Sequence, residues 1–124
     1  MRFTKGHLRF SHKEIWNLNE HLAKCIYDGL LQFKKAEREG HPGKISKETW
    51  EKYLDKMIFS FKEVSTFYKN DPIDLYFNNL WDSGERDLKK FEAPAEVTKE
   101  YVKYSKDIKE GIKLFAKYYL DLWD

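Results

Sequence analysis

Cysteine is nearly absent from the sequence, since Cys25 is the only one among 124 residues. A single thiol cannot close an intramolecular disulfide, and it cannot supply the several thiolates of a typical structural zinc site. The helical spacing of Cys25 from Leu18 and Leu22 predicts a small core residue rather than a nucleophile. We therefore expect a fold held by apolar packing, with no metal and no other cofactor.

Long apolar runs are also missing. No stretch approaches the roughly 18 uninterrupted apolar residues of a membrane span, and residues 1–10 carry charges where a signal peptide has its apolar core. The sequence therefore predicts a cytoplasmic protein with no membrane partner. The sequence contains no alternating run rich in Val, Ile or Thr, so it does not predict a sheet.

Helical periodicity dominates the remaining sequence. Ser11 with Glu14 forms a capping-box pattern, Ser46 is an N-cap candidate, and Asp71 precedes a proline suited to a first helical turn. The first helix has the widest apolar face, so we expect it to be central. The predicted helices run from Ser11 to about Glu39, from Ser46 to about Lys69, from Pro72 through Trp81, and from about Ala95 to Leu122.

These helices predict an all-α fold, a small helical bundle of three long helices and one or two short ones. It forms a single domain over residues 1–124, with residues 1–10 as a basic and aromatic arm and residues 70–94 as a short helix and a connection. Gly111, in the middle of the last helix, predicts a close helix approach, because glycine there costs about 1 kcal/mol relative to alanine. The residues expected to be buried are Leu22, Leu54, Ile58, Ile112 and Phe115.

Catalytic motifs are not found. The sequence contains neither the H-E-x-x-H pattern of zinc proteases nor the G-x-S-x-G pattern of hydrolases. Glu14, Asn17 and His21 share one strip of the first helix and resemble a metal-ligand set, but a polar helix flank explains them as well. Asp82 and Glu85 would suit acid–base chemistry if buried, and otherwise belong to a salt-bridged surface. We therefore predict that the protein is not an enzyme.

The N-terminal arm is the first candidate binding segment. Arg2, Lys5 and Arg9 alternate there with Phe3 and Phe10, and the first 45 residues hold nine Lys or Arg against five Asp or Glu. Arginine can clamp a phosphate while an aromatic ring stacks on a base, so this composition suits an anionic nucleotide. The alternative is that the two phenylalanines simply dock on the bundle.

The second candidate is an aromatic segment in the short helix. Tyr76, Phe77 and Trp81 lie on two sides of this helix, so one packing layer cannot bury all of them unless a partner covers the rest. Core packing of at least half of them is the alternative. A strip of lysines on the last helix is the next candidate; it comprises Lys99, Lys103, Lys106, Lys113 and Lys117.

Three sequence blocks resemble small uncharacterised all-α proteins encoded by tailed bacteriophages. They are residues 16–23 (WNLNEHLA), residues 54–61 (LDKMIFSF) and residues 110–119 (EGIKLFAKYY), with LWD at 122–124. The blocks are helical core patterns, so the resemblance implies an accessory protein of the bacterial host cytoplasm and transfers no active site.

The function expected from these features is that of a non-catalytic accessory binding protein. It would antagonise a host process, such as a defence system, by binding a host protein or by sequestering a small anionic nucleotide. The net charge of +2 is too small to indicate a nucleic-acid partner. A homo-oligomer is compatible with the sequence. A virion-assembly protein and a small enzyme with an unrecognised acid–base site are the alternatives.

Overall fold

The structure is a computed structural model that describes residues 1–36 and 41–123. This part of the chain is a small all-α bundle preceded by a two-stranded hairpin, which confirms the predicted fold class. Single 3₁₀ turns lie at Leu88–Lys90 and Tyr119–Asp121. The elements are β1 (Arg2–Thr4), β2 (His7–Arg9), α1 (His12–Trp16), α2 (Leu18–Lys35), α3 (Lys47–Ser65), α4 (Pro72–Asp82) and α5 (Ala95–Tyr118).

The predicted helix starts are confirmed. The Glu14 amide donates to Ser11 Oγ at 3.1 Å, and the Ser11 amide donates to Glu14 Oε1 at 2.8 Å, which completes the capping box. At the start of α3 the Thr49 amide donates to Ser46 Oγ at 3.1 Å. At the start of α4 the Asp71 carboxylate accepts a hydrogen bond of 2.8 Å from the Ile73 amide. Each cap satisfies backbone donors that have no partner inside the helix.

Two helix boundaries differ from the prediction. The first helix is broken at Asn17, a residue type that favours caps over helix interiors, and α2 ends at Lys35. The predicted end near Glu39 lies outside the described residues. The second helix ends at Ser65 rather than near Lys69, because Phe67 and Tyr68 adopt left-handed backbone conformations with φ of 56° and 55°.

The central helix is α3, so the expectation that the first helix is central is wrong. Helix α3 packs against both α2 and α5, whereas no backbone contact joins α2 to α5 in the described part of the chain. The three long helices thus form a layer with α3 in the middle. The core is built around Trp50, Leu54 and Met57 of α3, and α2 contributes Ala23 and Leu30.

The close helix approach predicted at Gly111 is present. Gly111 is buried, and a methyl group added to it would overlap Ser60 Oγ and the Lys56 carbonyl oxygen of α3. The single hydroxyl proton of Ser60 is shared between backbone carbonyls of both helices, and the nearest acceptor is that of Ile108 at 2.8 Å. Because glycine has no side chain, α3 and α5 can cross closely at Gly111.

The predicted core is confirmed in part. Leu54 is fully buried, and Ile58 and Phe115 are half-buried against the core. Leu22 and Ile112 are 42% and 40% exposed, so their predicted burial is wrong. Cys25, expected in the core, is also exposed. Ile112 lines an open pocket beside Tyr68 and Asp71 of the turn before α4.

The N-terminal strands were not expected from the sequence. Lys5 and Gly6 form the turn, with φ of 53° and 77°, the left-handed pair that a tight hairpin turn requires. The strands have three residues each.

Within residues 1–36 and 41–123, every helix is too short or too polar to cross a lipid bilayer.

Candidate binding surfaces

The hairpin places its charged and aromatic side chains on opposite faces. Its antiparallel register pairs Arg2 with Arg9, Phe3 with Leu8, and Thr4 with His7. Paired residues of a hairpin share a face, and consecutive residues alternate between faces. Arg2 and Arg9 therefore lie side by side, while Phe3 lies on the other face and Lys5 at the tip. A nucleotide bound on one face of the hairpin therefore cannot contact both the arginine pair and the Phe3 ring.

The strands of the hairpin do not pack against the helical layer. No backbone contact joins either strand to a helix in the described part of the chain. Phe3 is 77% exposed, so it does not dock on the bundle. Phe10 does dock, since its ring lies edge-on to His21 with 5.7 Å between centroids.

Glu14 anchors the hairpin to the start of α1. Its carboxylate accepts hydrogen bonds of 2.6 and 2.9 Å from the Met1 amino group. The hydrogen bond from that amine, together with the one from the Ser11 amide, lowers the pKa of Glu14 to about 2. His21 Nε2 lies 3.0 Å from Glu14 Oε2, without hydrogen-bond geometry.

Glu14 and His21 also belong to the set of residues that resembles a metal-ligand set in the sequence. The Glu14 carboxylate is already engaged by the amine and the backbone. Among the described residues, no group of three His, Cys, Asp or Glu side chains is arranged to hold a metal ion. The arrangement therefore acts as a cap and a tether for the hairpin.

Helix α1, which follows the hairpin in sequence, also carries exposed apolar side chains. Trp16 is 78% exposed, and its neighbour Ile15 is exposed as well. Only two residues separate β2 from α1. We call residues 1–16 the hairpin–α1 unit; it carries Phe3, Ile15 and Trp16 in the open and the arginine pair on one hairpin face.

The aromatic segment of α4 is partly packed. Tyr76 and Phe77 are half-buried, and the Phe77 ring lies 6.2 Å from that of Phe91. Trp81 is 54% exposed, but the Arg86 guanidinium lies 3.5 Å from its ring centroid and covers one face. No backbone contact joins α4 to the hairpin in the described residues. The two predicted groups of site residues are therefore separate surfaces.

A buried carboxylate in α3 was missed from the sequence. Glu63 is 1% exposed; its Oε1 accepts a 2.8 Å hydrogen bond from Tyr104 Oη, and its Oε2 accepts one of 3.1 Å from Asn70. Burial, with the hydrogen bond to Glu63, raises the pKa of the Tyr104 phenol. The available signal was an acidic residue between Phe61 and Val64 of the apolar stripe. The contacts tie α3 to α5 and to the turn before α4.

The remaining charged candidates lie on open surface. Glu85 pairs with Lys90 at 3.1 Å, and Asp82 is exposed, as expected of a salt-bridged surface. Part of the lysine strip, Lys106 and Lys113, lines a shallow pocket of about 480 Å³. All residues lining that pocket belong to α5, so its cations share one helix face and do not converge from several elements.

Comparison of the chain with family models, curated proteins and solved structures finds no match in any of the three. The geometry described above is therefore the basis for assigning a function.

Proposed function

We propose that the protein is a non-catalytic binding module that recognises another protein through its hairpin–α1 unit. The observation that carries this proposal is the exposure of Phe3 and Trp16 on a segment whose strands have no backbone contact with the helices. Large aromatic side chains dominate the binding energy of protein interfaces. A two-stranded hairpin is marginally stable alone in water, so a partner surface would also stabilise it.

The charge of the hairpin selects the kind of partner. Arg2 lies directly opposite Arg9, and like charges in this position destabilise a strand pair. Carboxylates on a partner would remove this repulsion and could bind both guanidinium groups. Because the arginine pair and Phe3 lie on opposite faces of the hairpin, the proposed partner contacts both faces. It is acidic where it meets the arginine pair and apolar where it meets Phe3 and, on α1, Trp16.

The biological role follows from the sequence resemblance alone. The three blocks that resemble phage-encoded proteins favour a host protein as the partner and antagonism of a host process, such as a defence system, as the outcome.

A pull-down from bacterial lysate tests the proposal with a matched pair of variants. Trp16 and Trp123 are 78% and 74% exposed, but Trp123 lies at the far end of the chain. We expect Trp16→Ala to reduce recovery of a captured protein by about tenfold or more, because removing a central aromatic anchor typically costs 2 kcal/mol or more. Trp123→Ala should leave recovery unchanged. Equal recovery with both variants would overturn the proposal.

The charge requirement is tested in the same assay. Replacing Arg2 and Arg9 by alanine should weaken capture and reduce its salt dependence, since two exposed cations are lost. Replacing the exposed Lys52 and Lys69 by alanine removes the same net charge outside every candidate surface and should have no effect. If both double variants weaken capture equally, the contribution is net charge and not the arginine pair.

Sequestration of a small anionic nucleotide is the second candidate function. It is favoured by one observation, the adjacent arginines on the hairpin, which would suit a phosphate group. Calorimetric titration with ATP and with inorganic pyrophosphate distinguishes the two. For a nucleotide site, binding should be lost in the Arg2→Ala, Arg9→Ala variant and retained in Trp16→Ala, whereas a protein-binding module shows no heat of binding with either probe.

A further inference from the structure

An open pocket of about 360 Å³ lies between α5 and the turn before α4. Three of its lining side chains are tyrosines, Tyr68 from the turn and Tyr101 and Tyr104 from α5. We call it the tyrosine pocket. In the described part of the chain no backbone contact joins α5 to the hairpin or to α1, so the pocket is separate from the surface proposed to bind a protein.

The tyrosines give the pocket an aromatic surface that a ligand can reach. Tyr68 and Tyr101 are 39% and 37% exposed, and neither hydroxyl makes a hydrogen bond within the described residues. Tyr104 is held in place, since its Oη donates to Glu63 Oε1 and its ring lies edge-on to Phe59 with 6.2 Å between centroids. The face of a tyrosine ring attracts a cation, and several rings around one pocket are typical of sites for quaternary ammonium groups.

The buried carboxylate of Glu63 adds negative charge behind the Tyr104 ring. It accepts hydrogen bonds from the Tyr104 hydroxyl and the Asn70 amide, which are both neutral, and no cation of the described residues pairs with it. Glu63 also lies in the last turn of α3, where the helix dipole is negative. A buried charge without an opposite charge beside it is costly, so a cation bound nearby would stabilise this part of the fold.

Asp71 contributes a second carboxylate, which lines the pocket itself. Its Oδ1 accepts from the backbone amides that begin α4, whereas its Oδ2 has no hydrogen bond among the described residues. Burial, the hydrogen bond to Glu63, and the charges of Glu63 and Asp71 all raise the pKa of the Tyr104 phenol. Both carboxylates therefore act at the same ring of the pocket.

Lys109 brings a positive charge to the lining of the pocket. It is exposed and also lines the neighbouring pocket on α5, so it lies on the border between the two. A lysine at such a border extends its ammonium group into water. Tyr68, Asp71 and Tyr104 line the tyrosine pocket and not its neighbour, so negative charge and aromatic rings meet on the side away from that border.

We propose that the tyrosine pocket binds a small organic cation with a quaternary ammonium group. The cation would lie against the three tyrosine rings, with Asp71 as its counter-charge. A primary ammonium group has several hydrogens to satisfy, whereas the carboxylate acceptors here are already partly engaged. A quaternary ammonium group donates no hydrogen bond, and its methyl groups suit Ile108 and Ile112, which also line the pocket. A phosphate or carboxylate ligand would be repelled by the two carboxylates.

Titration with choline at constant ionic strength, followed in amide NMR spectra, tests the site. Choline should shift the amide signals of the residues lining the pocket in a saturable way, with a dissociation constant on the order of 1 mM. Neohexyl alcohol has the same shape, but a carbon atom replaces the nitrogen of choline and the charge is lost. It should bind about tenfold more weakly, because the rings and Asp71 attract the charge.

Two pairs of matched variants test the proposed contacts. Asp71→Asn should weaken choline binding about fivefold while α4 stays intact, because asparagine caps a helix as well as aspartate does. Asp82→Asn removes the same charge at the other end of α4 and should leave binding unchanged. Tyr101→Ala should also weaken binding about fivefold, whereas Tyr119→Ala, at an exposed tyrosine outside the pocket, should not.

Three outcomes would overturn the proposal. The first is the absence of saturable shifts at the pocket up to about 50 mM choline, including the case in which only signals elsewhere in the protein shift. The second is equal affinity for choline and neohexyl alcohol, which would indicate an apolar pocket without preference for a cation. The third is an Asp71→Asn or a Tyr101→Ala variant that binds choline as tightly as its matched control.

Discussion

Gly111→Ala should destabilise the protein by about 2 kcal/mol, although alanine is the better helix former. The gain in helix propensity is about 1 kcal/mol in favour of alanine. Against it, the new methyl group would overlap Ser60 Oγ and the Lys56 carbonyl oxygen and would lie 2.7 Å from Ser60 Cβ. Rotation of one side chain cannot relieve a clash with backbone, so α3 and α5 must move apart.

The magnitude follows from what this movement disrupts. Forcing an extra methyl into a well-packed contact costs roughly 1–3 kcal/mol. Separation of the helices also breaks the one hydrogen bond that the Ser60 hydroxyl shares between the carbonyls of Asp107 and Ile108, at about 1 kcal/mol. This loss offsets the propensity gain, so the overpacking cost remains as a net loss of about 2 kcal/mol.

Urea unfolding followed by circular dichroism measures this difference. Gly29→Ala is the control, because an added methyl there meets nothing, and it should stabilise the protein by roughly 0.5–1 kcal/mol. A Gly111→Ala variant as stable as the wild type would show that the two helices do not cross closely at this residue. Destabilisation by both variants would refute the helix-propensity reasoning.

Three further outcomes are expected from the contacts described. Phe115→Ala should lower the free energy of unfolding by about 2 kcal/mol in a urea titration, less than the 3–5 kcal/mol of a fully buried ring, because Phe115 is half-buried. Stability from Glu14, whose pKa is lowered to about 2 from 4.5, is present above pH 4.5 and lost as the pH falls toward 2; Glu14→Gln should flatten this loss in acid titrations. The pKa of Tyr104 is raised, so its contribution is complete below pH 10 and is lost above it, and Tyr104→Phe should remove this alkaline loss in thermal melts.

Local signals in the sequence were sufficient to place the helices. Ser11, Ser46 and Asp71 begin helices where their capping patterns predict, because these hydrogen bonds form between neighbours in the chain. The helix end before Phe67 was not predictable, since two left-handed residues without a glycine carry no clear local signal. Burial of Leu22 and Ile112 was wrong for a different reason: periodicity identifies an apolar face, but not whether the same chain covers it.

The candidate site shows the same division. The alternation of cations and aromatics identified Arg2, Lys5 and Arg9 as unusual, but the hairpin register that separates Arg2 from the ring of Phe3 depends on a turn at positions 5 and 6. Segments of three residues are too short for hydrophobic alternation to predict that they pair as strands. The partial coverage of Trp81 by Arg86 depends on the connection after α4, which has no periodic pattern.

Site-specific photocrosslinking in bacterial cells tests the proposed binding surface most directly. A photoreactive phenylalanine analogue would replace Phe3 in one variant, Trp16 in a second and Trp123 in a third, all positions with exposed side chains. The hairpin–α1 unit as the binding surface predicts one discrete crosslinked protein from positions 3 and 16, and none from position 123. Crosslinking from position 123 alone, or equally from all three, would contradict it.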